Sequence, residues 1–168
     1  MLILGVDPGL QGALAWIDGA GALLRVEDMP VFEVMRNGKP RKELDVLGLD
    51  RLLSDLTPDV CFLEQVNGME GDSPSSAFTF GRATGAAEAV LKVSGARFET
   101  VAPATWKKAM GLIGTAKDQS RAKATARWPA FATTFSLKMA DGRAESALLA
   151  EFGRQRLVRD GLIGGPFG

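Results

Sequence analysis

Four acids in this sequence could perform hydrolytic chemistry together: Asp7, Glu64, Asp141 and Glu145. Asp7 follows the apolar run Leu2-Ile-Leu-Gly-Val6, and Glu64 follows Val60-Cys-Phe-Leu63, so each acid stands at the exit of a buried strand. Asp141 and Glu145 are four residues apart at the start of a late helix. Either Asp141 caps that helix or it lies in the first turn, and in the second case the two acids share a face. Like charges at that spacing repel, a cost that a bound cation would remove. The chain has no histidine and one cysteine, Cys61. That composition excludes Ser-His and Cys-His dyads, His-based metal sites and cysteine sets for zinc. Carboxylates alone make a hard oxygen site suited to Mg2+ or Mn2+. Two such ions about 4 Å apart activate water and stabilise the leaving oxygen in phosphodiester hydrolysis.

The elements that must position these acids are readable in order. Ala13 to Ile17 reads as a second strand, and Asp18-Gly19 as a turn into a third at about Leu23 to Val26. Met35 to Lys42 is polar and turn-rich, which predicts a loop with solvated charges. Asp45 to Leu56 has apolar residues at 46, 47, 49, 52, 53 and 56, a helical spacing. A crossover helix between the strands ending at Asp7 and Glu64 would make them parallel, with both acids at one edge of the sheet. Asn67 to Ser76 is expected to be a loop beside that edge. A helix follows over 77–93, with Gly81 and Gly85 on one face, where close packing occurs either within the fold or between subunits. Arg97 to Val101 is a further strand. Helices are expected over 102–111, opened by Pro103 and closed by Gly111, and over about 117–128. Pro129 to Met139 has no assigned element, and the final helix runs from near Asp141 to Arg154.

The totals predict one domain over 1–168, with a core of about 1–157 and a C-terminal tail over 158–168. No apolar run approaches the roughly 18 residues of a transmembrane helix, and the N-terminus lacks a signal peptide's charged start. A cytoplasmic protein without a membrane partner is the expectation. Formal net charge is zero, but the charge is unevenly distributed. Between Val101 and Arg143, eight basic residues face two acidic ones. Such a block attracts a polyanion locally or forms a solvated helix surface.

The sequence resembles the RuvC-type Holliday-junction resolvases of the ribonuclease H-like superfamily, most closely the branch found in phages and prophages. Five stretches carry the resemblance, in matching order and spacing: Ile-Leu-Gly-Val-Asp-Pro-Gly (3–9), Leu-Glu-Gln-Val (63–66), Ser-Ser-Ala-Phe-Thr-Phe-Gly-Arg (75–82), Pro-Ala-Thr-Trp-Lys-Lys-Ala-Met-Gly (103–111) and Asp-Gly-Arg-Ala-Glu-Ser-Ala-Leu-Leu-Ala-Glu-Phe-Gly-Arg (141–154). The resemblance implies an α/β fold with a five-stranded mixed sheet flanked by helices. It implies Asp7, Glu64, Asp141 and Glu145 as the metal-binding catalytic set, with magnesium and alternatively manganese as cofactor. Lys107 matches a lysine acting near the scissile phosphate, and so does Lys117. Together with Lys108, Arg121, Lys123 and Arg143 these are the expected DNA contacts. The implied partners are branched DNA, four-way junctions first, and a second copy of the chain through the helix of about 77–93. A branch-migration motor is left open. The implied reaction is symmetric nicking by a two-fold dimer.

Three features depart from the pattern. An aromatic wedge, common three residues after the second acid, is replaced by Asn67, with Met69 and Phe78 as nearby apolar candidates. The fourth acid is Glu145 where aspartate is usual, and the net charge is zero rather than strongly basic. A broader flap or fork nuclease and a catalytically silent junction-binding protein stay open as alternatives. An actin-like sugar or acetate kinase also opens with a strand, an acid and glycines, but it needs a second lobe that 168 residues cannot hold.

Overall fold

Residues 1–66, 73–116, 118–137 and 140–164 are described here from a computed structural model of the chain. In chain order the elements are β1 (Leu2–Asp7), β2 (Ala13–Asp18), β3 (Leu23–Asp28), β4 (Val31–Arg36), β5 (Lys39–Leu44), α1 (Val46–Asp55) and β6 (Val60–Glu64). They continue with α2 (Pro74–Val93), β7 (Arg97–Val101), α3 (Pro103–Ala109), α4 (Asp118–Arg127), a 3-10 turn (Pro129–Phe131), α5 (Ala132–Phe135) and α6 (Asp141–Arg159). The main sheet has the order β3-β2-β1-β6-β7. Its first three strands are antiparallel neighbours, while β6 and β7 run parallel to β1, giving the mixed five-stranded sheet expected from the sequence.

Side-chain alternation divides the core between the two faces of this sheet. Ile3, Ala15, Ile17 and Phe62 pack with Trp106, Trp128 and the inner side of α6. Leu4, Val6, Trp16, Cys61 and Leu63 pack with α1 and α2 through Leu49, Leu53, Ala87 and Leu91. Asp7 has the parity of Ile3, and Glu64 has the parity of Phe62, so both acids belong to the α6 face. That helix is buried almost continuously from Ala144 to Gly153. Small residues let it approach the sheet. A Cβ on Gly5 of β1 would run into the Ser146 carbonyl and the Ala150 backbone nitrogen.

Local signals explain the helix starts. Asp45 caps α1, its side chain accepting from Gly48 N at 2.9 Å. Ser73 caps α2 by accepting from Ser76 N at 3.1 Å, with Pro74 opening the helix, so residues 74–76 are helical rather than loop. Residues 67–72 of the expected loop, Asn67 and Met69 included, lie outside the described residues. Asp141 is the first helical residue of α6 and Ala140 is its cap, which makes Asp141 and Glu145 an i, i+4 pair rather than a cap and a neighbour. The helix continues to Arg159, five residues beyond its expected end and into the expected tail.

The stretch 35–42 corrects the sequence reading. It is not a loop but most of the β4–β5 hairpin, with pairs from Val31–Leu44 out to Arg36–Lys39. Asn37 (φ 50°) and Gly38 (φ 71°) make the two-residue turn, the left-handed pair that tight hairpins require. Part of the unassigned stretch 129–139 folds as the 3-10 turn and α5.

Candidate active site

Asp7 and Glu64 lie one step beyond the parallel Val6–Leu63 pair, at adjacent strand exits on the same face of the sheet. Glu64 also pairs with Val101 of β7, and two residues later the chain turns into α3. This short link brings Trp106 and Lys107 back over the strand ends. The buried Trp106 indole donates from Nε1 to Glu64 Oε1 at 3.0 Å and so fixes that carboxylate. The Lys107 ammonium is 3.0 Å from Glu145 Oε2 and 3.9 Å from Glu64 Oε1. Ser120 of α4 approaches Glu145 Oε1 at the longer distance of 3.5 Å.

The first turn of α6 closes the site. A Cβ on Gly142 would stand 3.0 Å from Asp7 Oδ2 and 2.9 Å from the Gln11 carbonyl oxygen. Only glycine lets the helix start this close to the loop after Asp7. The site therefore joins β1, β6, α3 and α6, residues from both ends of the chain.

The electrostatics fit a cation site. Burial pushes Asp7 above the ordinary carboxylate value, and the Glu145 charge adds to it, against a Gly9 N–H hydrogen bond and the Lys107 charge. Burial likewise raises Glu64, with the charges of Asp7 and Glu145 in the same direction and Trp106 and Lys107 opposing. The protein thus gathers like charges where their ionised forms are disfavoured, an arrangement common at functional sites. Asp141 Oδ1 is buried with no hydrogen-bond partner, and Arg121 Nε lies 3.4 Å from it. Among the described residues no three carboxylates stand at mutual coordination distance. The Lys107 ammonium lies within 4 Å of two of them and supplies the positive charge that lets them approach. An all-oxygen donor set, a buried Asp141 oxygen without a hydrogen bond and a cation already seated among the acids all suit a hard divalent ion.

The other expected contact residues divide into two groups. Lys108 on α3 and Lys123 on α4 are exposed and make no ion pair among the described residues. Lys117 lies outside the described residues. Arg143 points away from the acids. It pairs bidentately with Asp28 at 2.6 Å through both Nε and Nη2, and Nη1 contacts the Thr134 carbonyl. Its hydrogen bond holds Asp28 below the usual carboxylate range. Arg121 donates to the Leu137 carbonyl at 3.1 Å besides its approach to Asp141. These two arginines frame the start of α6.

Sequence reasoning missed Trp106 as the residue that orients Glu64. The signal was present, since a tryptophan beside the Lys107 motif must find a partner for its N–H once buried. It also left the glycine pair on α2 undecided. Cβ atoms on Gly81 and Gly85 would meet nothing within 4 Å, so these glycines do not serve packing among the described residues.

The family model described as crossover junction endodeoxyribonuclease RuvC matches residues 3–127. That span holds Asp7, Glu64 and Lys107 and stops short of Asp141 and Glu145. No curated protein matches the chain. Among solved structures, the chain is similar to T. thermophilus RuvC in complex with a Holliday junction substrate, at 19% identity and a TM-score of 0.63, covering 93% of this chain and 96% of that one. A second Thermus thermophilus RuvC structure matches at 16% identity and a TM-score of 0.52, covering 97% and 98%. The Fowlpox virus resolvase, in a complex with substrate Holliday junction DNA, matches at 17% identity and a TM-score of 0.55, covering 94% and 99%. These likenesses show a ribonuclease H-like fold.

Proposed function

The chain belongs to the RuvC family of crossover junction endodeoxyribonucleases, and we propose that it resolves four-way DNA junctions by metal-dependent, symmetric hydrolysis of two phosphodiesters. Asp7, Glu64, Asp141 and Glu145 are the cation-holding set in this reading. The observation that carries it is the meeting of acids from β1, β6 and α6 around one ammonium, that of Lys107. Magnesium, or manganese in its place, would supply Lewis-acid activation of water and charge neutralisation at the leaving oxygen.

The chain's own residues carry the other tasks. Trp106 holds Glu64 in one rotamer through its indole N–H. Lys107 keeps the acids together, donating one N–H to Glu145, and offers a remaining N–H to a non-bridging phosphate oxygen. Lys108 and Lys123, exposed on α3 and α4, contact flanking phosphates, joined by Lys117, while Arg121 and Arg143 position α6.

Homodimerisation through α2 completes the proposal. Phe78, Gly81, Gly85, Ala89 and Val93 recur at helical spacing and are all exposed, Phe78 at 69% and Val93 at 81%. An apolar stripe with glycines at its centre lets two helices approach closely. A two-fold dimer then presents two sites to a two-fold junction, which yields paired nicks.

The test is cleavage of four-way, flap and plain duplex substrates of matched sequence in magnesium. Paired, symmetry-related nicks confined to the four-way substrate are expected. Equal cleavage of flaps would replace the junction reading with a broader branched-DNA nuclease.

A further inference from the structure

Outside the acid site, the β4–β5 hairpin is mostly exposed, and its charges are sorted by face. Cross-strand partners share a face, so Arg36, Lys39, Arg41 and Glu43 lie together with Phe32 and Val34. Glu43 is the only acid on that face. It accepts from Arg36 at 2.6 Å and from Arg82 of α2 at 2.8 Å, which fixes both guanidinium groups beside the ribbon. Lys39 and Arg41 are exposed and make no ion pair among the described residues. Four cations thus oppose one carboxylate in a chain whose net charge is zero.

The base of the hairpin is built onto the loop that follows Asp7. Met29 N donates to the Gly12 carbonyl at 2.9 Å, and Asp45 N to the Pro30 carbonyl at 2.9 Å. Lys42 and Leu10 line two clefts together, one running to Arg143 at the start of α6 and one to Arg82. Six residues per strand reach about 20 Å from that base.

We propose that the β4–β5 hairpin is a second DNA contact, in which Lys39 and Arg41, with Arg36 and Arg82 braced by Glu43, hold the phosphates of a duplex arm leaving the acid site. This inference rests on the endonuclease reading above. A two-stranded ribbon is one of the two elements that fit a duplex major groove. A two-fold contact would set this cationic face against its own copy, and the like charges would repel, which argues against a second copy as occupant. Pro40 lacks an N–H and interrupts the donor row along β5, so the edge is poorly suited to strand addition.

The experiment measures four-way junction affinity across a salt titration, in calcium so that substrate stays intact. K39A/R41A is compared with wild type and with the charge-keeping swap K39R/R41K. The alanine pair should weaken binding about tenfold near 0.1 M salt and reduce the salt slope by about 0.9 for each phosphate left without its cation. The swap should keep both affinity and slope. Wild-type affinity and slope in K39A/R41A overturn the proposal, and so does a loss in the swap as large as in the alanine pair. Sedimentation of K39A/R41A as a monomer where wild type is a dimer also overturns it, because the hairpin would then be a protein interface. A wild type that binds no junction at all defeats the functional reading itself, whereas the other failures leave that reading intact.

Discussion

The Lys107 ammonium sits 3.0 Å from Glu145 Oε2, tying α3 to the first turns of α6 across the exits of β1 and β6. Those two residues are 38 apart in sequence, and their pairing neutralises part of a cluster that would otherwise repel itself. In the proposed function a group in this position has two jobs: to stabilise the protein before a divalent ion arrives and to meet a phosphate afterwards.

Lys107→Ala should therefore lower stability without divalent ions by about 1 kcal/mol, the scale of a partly exposed pair. For a chain of this size that is a drop of about 2–4 °C in Tm. Magnesium should raise the Tm of the variant more than that of wild type, and nicking should slow in the variant. Equal Tm values for both proteins with and without magnesium would remove the lysine from the site.

Asp7 and Glu64 give a pH dependence with a definite sign. Burial raises both above their ordinary values of 3.8 and 4.5, so the folded state holds these protons more tightly than the unfolded chain. Stability without divalent ions should fall as pH rises from that range through the raised folded values. Asp7→Asn removes one of the two penalties and should raise Tm at pH 7, with the gain shrinking as pH approaches 4. Thermal melts at several pH values check this, and a variant less stable than wild type at pH 7 contradicts it.

A separate network braces the far end of α6. Burial raises Glu151, but hydrogen bonds from Arg154 and Gln155 and the charges of Arg154 and Arg127 outweigh it and leave the carboxyl below its ordinary value. Arg127 and Trp128 both donate to the Gly21 carbonyl, which ties α4 to the β2–β3 turn. Glu151→Ala strands the Arg154 guanidinium and should cost about 3 kcal/mol, read by denaturant unfolding. A decrease under 1 kcal/mol would show the network to be dispensable.

Much of this was legible in the sequence. An apolar run ending in an acid, seen twice, fixed Asp7 and Glu64 at adjacent parallel strand ends, because strand parity and a crossover helix leave few alternatives. The i, i+4 spacing of Asp141 and Glu145 needed only the helix start, which Gly142 allows by its close approach to the Asp7 loop. The hairpin at 31–44 was missed although Asn37-Gly38 is a strong turn signal. Its strands carry charges on both faces and lack the apolar alternation that usually marks a strand. Arg143 read only as an expected DNA contact, because its partner Asp28 lies 115 residues away, a pairing that only the folded sheet creates.

Single-turnover nicking of a four-way junction by wild type and Asp7→Asn, with binding measured on the same substrate, bears on the acid cluster most directly. Wild type should leave two symmetry-related nicks in magnesium, and Asp7→Asn should bind with similar affinity while cutting at least a hundredfold more slowly (about 3 kcal/mol in the barrier). Nicking by Asp7→Asn at the wild-type rate would contradict the assignment of these carboxylates to catalysis.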